Sequence, residues 1–126
     1  MGVKIRLTAG DIAVSGELAD SATAQAIAAA LPLTAAANTW GDEIYFTIPV
    51  KAALDDTAQE VVAVGDIGYW PSGQALCLFF GPTPISRPGE IRPASAVNIV
   101  GRLLGDIRRL PEIRDGIIIS IEEVPD

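Results

Sequence analysis

Residues 67–80 read Ile67-Gly68-Tyr69-Trp70-Pro71-Ser72-Gly73-Gln74-Ala75-Leu76-Cys77-Leu78-Phe79-Phe80. Two short apolar runs flank Pro-Ser-Gly, a tripeptide suited to a tight turn because proline presets its own φ and glycine accepts conformations that other residues resist. The stretch predicts two strands, Ile67–Trp70 and Gln74–Phe80, facing each other across 71–73. A chain built around such a pair is β-rich, and its neighbours extend the pattern. Upstream, Gly65-Asp66 ends a strand expected over Glu60–Val64. Before that, Ile44, Phe46 and Ile48 alternate with Glu43, Tyr45 and Thr47 until Pro49 stops them. Lys51–Thr57 reads as a loop or a short helical turn.

Downstream, the segment 81–93 carries Pro82, Pro84, Pro88, Gly89 and Pro93 and must be irregular. It is long for a simple connection, and long ordered loops are often functional. Ala96–Leu104 resumes as a strand, 105–113 supplies a helical turn or two, and Asp115-Gly116 opens a last strand, Ile117–Glu123. At the amino end Val3, Ile5 and Leu7 alternate with Lys4, Arg6 and Thr8, and Ile12 and Val14 continue the pattern after Gly10-Asp11, which predicts a hairpin. One helix is expected, over about 20–31. Asp20 is placed to cap it, alanine dominates it, and Pro32 ends it. About eight strands with turns every ten residues or so predict a closed or nearly closed barrel in one domain, 1–126.

Composition narrows the chemistry. Of the 126 residues 49% are hydrophobic, enough for a core at this length, yet no apolar run approaches the eighteen or so residues of a membrane helix. Lys4 and Arg6 interrupt any signal-peptide core, and Arg6 stands where a myristoylation signal wants Ser or Thr, so the expected location is the cytoplasm. The net charge of -7 opposes nucleic-acid binding, which draws its affinity from neutralised phosphates. Arg102, Arg108, Arg109 and Arg114 are interspersed with Asp106, Glu112 and Asp115, the mark of a solvated mixed face. The single cysteine, Cys77, makes no internal disulfide and reads as a buried thiol of low reactivity. Histidine is absent, which removes His-activated nucleophiles, imidazole shuttling and the usual zinc ligands. The acidic group Asp55, Asp56 and Glu60 lacks calcium-loop spacing, and neither a metal nor a cofactor is expected.

Three segments carry a resemblance. They are Thr39-Trp40-Gly41-Asp42-Glu43-Ile44-Tyr45-Phe46, Gly65-Asp66-Ile67-Gly68-Tyr69-Trp70-Pro71 and Ala75-Leu76-Cys77-Leu78-Phe79-Phe80-Gly81-Pro82-Thr83-Pro84. Together with Val100-Gly101-Arg102 they resemble the small prokaryotic cyclophilin-like proteins, a family of unknown function. The resemblance implies an eight-stranded cyclophilin-type barrel, in agreement with the strand count. In the prolyl isomerases of that fold the active face centres on an arginine, with histidine contacts. The matching stretch here is Tyr45-Phe46-Thr47-Ile48-Pro49, with Thr47 in place of the arginine, and only Phe79-Phe80 matches the Ser-Gln-Phe-Phe strand. Threonine lacks the charged fork that would hold and polarise a prolyl amide.

The candidate ligand-binding residues are Trp40, Tyr45, Phe46, Tyr69, Trp70, Phe80 and Arg102. Several of these aromatics flank Gly or Pro at expected strand ends, either lining a groove for a flat apolar ligand or plugging the barrel ends. Arg102 lies inside an apolar strand, facing outward or paired with Asp66 or Asp42 at the barrel mouth. Arg87 and Arg92 flank Pro88-Gly89 as a possible anion clamp or as solvated charge. The leading expectation is a domain that binds a small molecule or short peptide in an aromatic groove. The alternatives are an atypical prolyl isomerase using Arg102 or Arg92, and an interaction module presenting its edge or Pro-rich loop. Oligomeric state is left open.

Overall fold

The computed structural model describes residues 2–125. Strands β1 (Val3–Ala9) and β2 (Ile12–Leu18) form the expected hairpin, with Ile5, Leu7, Val14 and Leu18 turned inward and buried. Helix α1 (Ala22–Ala30) follows, shorter at both ends than the expected 20–31. Ser21 rather than Asp20 is its N-cap: the Ser21 hydroxyl accepts the Ala24 amide at 3.3 Å. The helix buries Thr23, Ala24 and Ile27 and covers one end of the core. Strands β3 (Leu33–Ala36) and β4 (Asn38–Thr39) come next, then β5 (Glu43–Thr47), β6 (Ala58–Gln59), β7 (Asp66–Trp70), β8 (Ala75–Phe79), β9 (Val97–Leu104) and β10 (Ile118–Glu123). The link between β7 and β8 is a single 3₁₀ turn at Pro71–Gly73, as its sequence implies. Residues 81–96 contain no strand, only a bridge between Val62 and Ile91.

All ten strands belong to one antiparallel sheet of order β3-β10-β1-β2-β9-β7-β8-β5-β4, with β6 added on β9. Ten strands stand where about eight were expected. The path has two ends, β3 and β4, and no ladder joins them to each other. The strand expected over Glu60–Val64 is also displaced: pairing occurs at Ala58–Gln59, and 61–64 hold only the Val62 bridge. The helical turns expected over 105–113 shrink to a 3₁₀ turn at Leu110–Glu112.

The inner face carries the main core, including Ile44, Phe46, Ile67, Tyr69, Leu76, Leu78, Val100 and Leu103. Residue Val100 is skipped where β7 passes from Ile67↔Gly101 to Gly68↔Ile99, and this bulge lets Asn98, Val100 and Leu103 share the inner core. Asn98 is fully buried and satisfied: it accepts the Asp55 amide at 2.8 Å and donates to the Ala53 carbonyl at 3.0 Å and to Thr23 at 3.3 Å. It ties the loop after β5, and α1, to β9. Strand β8 is buried at every position because its outer face is covered too. A second cluster, Val62, Cys77, Phe79, Ile91 and Val97, lies there, with Tyr45, Trp70 and Ile99 packed against it. Segment 81–96 forms the cover. It is pinned by Ser86, whose hydroxyl accepts the amides of Thr83 and Arg92, both at 2.9 Å.

Candidate functional site

Alternation along β5 sends Ile44 and Phe46 inward and Glu43 and Tyr45 outward. The register then fixes their neighbours. Glu43 lies opposite Phe79, Tyr45 opposite Cys77, Gly68 opposite Cys77, and Trp70 opposite Ala75. The turn at 40–43, closed by the Trp40 amide on the Glu43 carbonyl at 3.0 Å, brings Trp40 to the same place. Pro93 and Ala94 arrive from the covering segment and Val97 from β9. Trp40, Glu43, Tyr45, Trp70, Cys77, Pro93, Ala94 and Val97 line a pocket of about 200 Å³.

Its walls are aromatic. Tyr45 and Trp70 meet edge to face, with ring centres 6.2 Å apart and planes at 82°, the arrangement that suits the quadrupoles of two rings. The Trp70 indole N–H donates to the Ser95 hydroxyl at 2.6 Å, anchoring the wall to the covering segment. Gly73 makes this position available, because a β-carbon there would stand 2.5 Å from the indole ring.

One polar group has no counterpart in the expectations. Glu43 is only 4% exposed, and its Oε1 has no hydrogen-bond partner. Burial drives the Glu43 carboxyl up from 4.5 to about 7, against the smaller opposing effect of a hydrogen bond from the Cys77 thiol. Burial also raises the Cys77 thiol well above its ordinary range, reinforced by the charge and the hydrogen bond of Glu43. Cys77 therefore remains a protonated donor near neutrality while Glu43 is balanced between charged and neutral forms. Among the described residues no arginine or lysine lines the pocket.

The cyclophilin-like family model matches residues 3–122. The chain belongs to the cyclophilin-like family. The solution structure of a hypothetical protein from Archaeoglobus fulgidus is similar to this chain, with 41% identity and a TM-score of 0.83 over 98% of this chain and 95% of that one. No curated protein matches.

In this cyclophilin-like chain the seven candidate residues divide into three groups. Trp40, Tyr45 and Trp70 come together at the pocket. Phe46 and Tyr69 do not, because each neighbours an outward-facing ring in sequence and so points to the inner core. The Tyr69 hydroxyl donates to the Val50 carbonyl at 2.6 Å and accepts the Ala52 amide at 3.2 Å. Phe80 is half-buried against the main core. Arg102 stands elsewhere, on the outer side of β9, where its guanidinium pairs with Asp66 at 3.0 Å and reaches the Val64 carbonyl at 3.3 Å. Arg92 is held by Glu90 at 2.7 Å. Thr47 is exposed at the end of β5.

Several other charges are paired or capped. Asp55 accepts from Thr23 at 2.9 Å and from the amide and hydroxyl of Thr57. Arg108 pairs with Asp106, and Arg109 with Asp11 and Glu112. Among the described residues no helix is long and apolar enough to cross a membrane.

Proposed function

We propose that this cyclophilin-like chain binds a small molecule, or one side chain of a short peptide, in the pocket formed by Trp40, Tyr45, Trp70 and Pro93 over Glu43. The single observation that carries the reading is the unpartnered Glu43 Oε1 at an aromatic-lined cavity. A buried acceptor left unmade costs about 1–3 kcal/mol, and folds retain such costs where a ligand supplies the missing donor. Pockets for drug-sized ligands run to about 300–1,000 Å³, so a cavity of about 200 Å³ suits a smaller group. Isomerase chemistry centred on Arg102 has less support, since that guanidinium is engaged by Asp66 and does not line the pocket.

The same reading takes the sheet as a barrel. Its two ends, β3 and β4, are consecutive pieces of one segment joined at Ala37. The Ala37 amide donates to the Ile117 carbonyl at 2.8 Å, and the Gly116 amide donates back to the Ala37 carbonyl at 2.9 Å. Slow exchange of these two amides is expected if the segment closes the sheet, and rapid exchange would leave it open.

The chain's two tryptophans both line the pocket, so indole fluorescence reports on it without a label. Titration with proline-containing peptides and a library of small metabolites is expected to give at least one saturable change. A flat response throughout would remove the reading.

A further inference from the structure

The pocket combines three features that together define a ligand class. Its acceptor, Glu43 Oε1, is buried and unpaired. Its walls include two indoles and a phenol, whose π faces are negative. It contains no cationic side chain to neutralise the carboxylate from within. An anion would meet the charge of Glu43 and the electron-rich rings. A neutral apolar group would leave the carboxylate desolvated and unpaired. A compact organic cation satisfies both requirements, since ring faces attract ammonium groups and a carboxylate supplies the countercharge.

We propose that the occupant is a small alkylammonium group, held by the Trp40, Tyr45 and Trp70 walls with Glu43 as counter-ion. The inference rests on the pocket-binding reading above and narrows it to one chemical class. The titratable groups facing Glu43 are Tyr45 on its own strand and Cys77 on β8, while β7, β9 and the covering segment present Trp70, Val97, Pro93 and Ala94. Because Cys77 stays protonated, Glu43 alone sets the pH response of the site. A permanent cation would bind the ionised form, so its affinity rises with pH and levels off above the Glu43 midpoint.

Choline and 3,3-dimethylbutan-1-ol test this directly, because they share a shape and differ in replacing the ammonium nitrogen by carbon. Tryptophan fluorescence of the intact chain is followed at constant ionic strength, with sodium chloride as the salt control. Choline is expected to give a saturable change with millimolar affinity or better. It is expected to exceed the neutral alcohol by about tenfold, a preference typical of cation–π recognition. Choline binding should weaken by about tenfold from pH 8 to pH 6 as Glu43 takes up its proton. Glu43→Gln should weaken choline binding and reduce the preference to what the rings alone supply, and it should abolish the pH dependence. Equal binding of choline and the alcohol overturns the cation assignment while leaving the pocket reading in place. Silence toward both also overturns the assignment, and the peptide and metabolite titration then decides the pocket reading separately. Should Glu43→Gln fail to fold, the wild-type pH series still refutes the proposal if choline affinity is constant from pH 6 to pH 8.

Discussion

Replacing Glu43 by glutamine should change how stability depends on pH, and the size of the change can be worked out. In the unfolded chain the carboxyl titrates near 4.5, whereas in the fold it titrates near 7. Between those values the folded state keeps a proton that the unfolded state has released. Stability therefore falls as pH rises through this window, and the loss is complete above the folded midpoint. A separation of this size corresponds to about 3 kcal/mol for a fully shielded group, and to about 2–3 kcal/mol here because the pocket opens to water. The window is otherwise clear, since the chain has no histidine and the Cys77 thiol titrates far above it. The α-amino group is common to both proteins and cancels. Urea unfolding at pH 5, 6, 7 and 8, with linear extrapolation, gives the two stability curves. Wild type minus Glu43→Gln should fall by about 2–3 kcal/mol from pH 5 to pH 8. A flat difference would show that Glu43 is solvated, and the pocket argument would fail with it.

Other substitutions separate the pocket from its support. Gly68→Ala places a β-carbon 2.8 Å from Val97 Cγ2 and 3.1 Å from the Phe79 ring. Overpacking should cost about 1–3 kcal/mol, and urea unfolding should show it. Asn98→Ala strands the Asp55 amide and the Ala53 carbonyl. A loss of about 2–4 kcal/mol in unfolding free energy is expected, read from a lower urea midpoint, with no change in the difference between choline and its neutral isostere. Arg102→Ala removes an ion pair whose arginine is mostly exposed. It should cost about 1 kcal/mol or less and leave fluorescence titrations unchanged. A binding defect there would move the site along β9 to Arg102 and Asp66.

Local patterns expose much of this fold to a reader of the sequence. Alternation marks β1, β2 and β5, and the Pro-Ser-Gly turn marks β7 and β8. The segment Leu33-Thr34-Ala35-Ala36 escapes notice because its alanines continue the composition of the helix before Pro32. It becomes strand only through its distant ladder to β10, a contact without a local signal. That strand and β4, which follows it after Ala37, are the two ends of the sheet, so the topology at its edges is the least legible part.

The candidate site is half legible. Trp40 beside Gly41 and Trp70 beside Pro71 mark the site in the sequence, Tyr45 joins them as a strand aromatic, and period two splits the set further. Tyr45-Phe46 and Tyr69-Trp70 are adjacent pairs, and one member of each must face away from the other. Glu43 was hidden for a different reason. A glutamate on the polar phase of an alternating strand reads as solvated, and its burial depends on segment 81–96 folding over the outer face. Cys77 is legible as a buried thiol from its apolar run, although nothing local shows that its partner is a carboxylate.

The aromatic pocket is built over a buried carboxylate, Glu43, with one oxygen left without a partner. Carbon-detected NMR of the glutamate side-chain carboxyls, followed from pH 3 to pH 9 without and with choline, measures its titration. A Glu43 midpoint near 7 is expected in the free protein, dropping when choline is added. A Glu43 midpoint near 4.5, unmoved by choline, would contradict it.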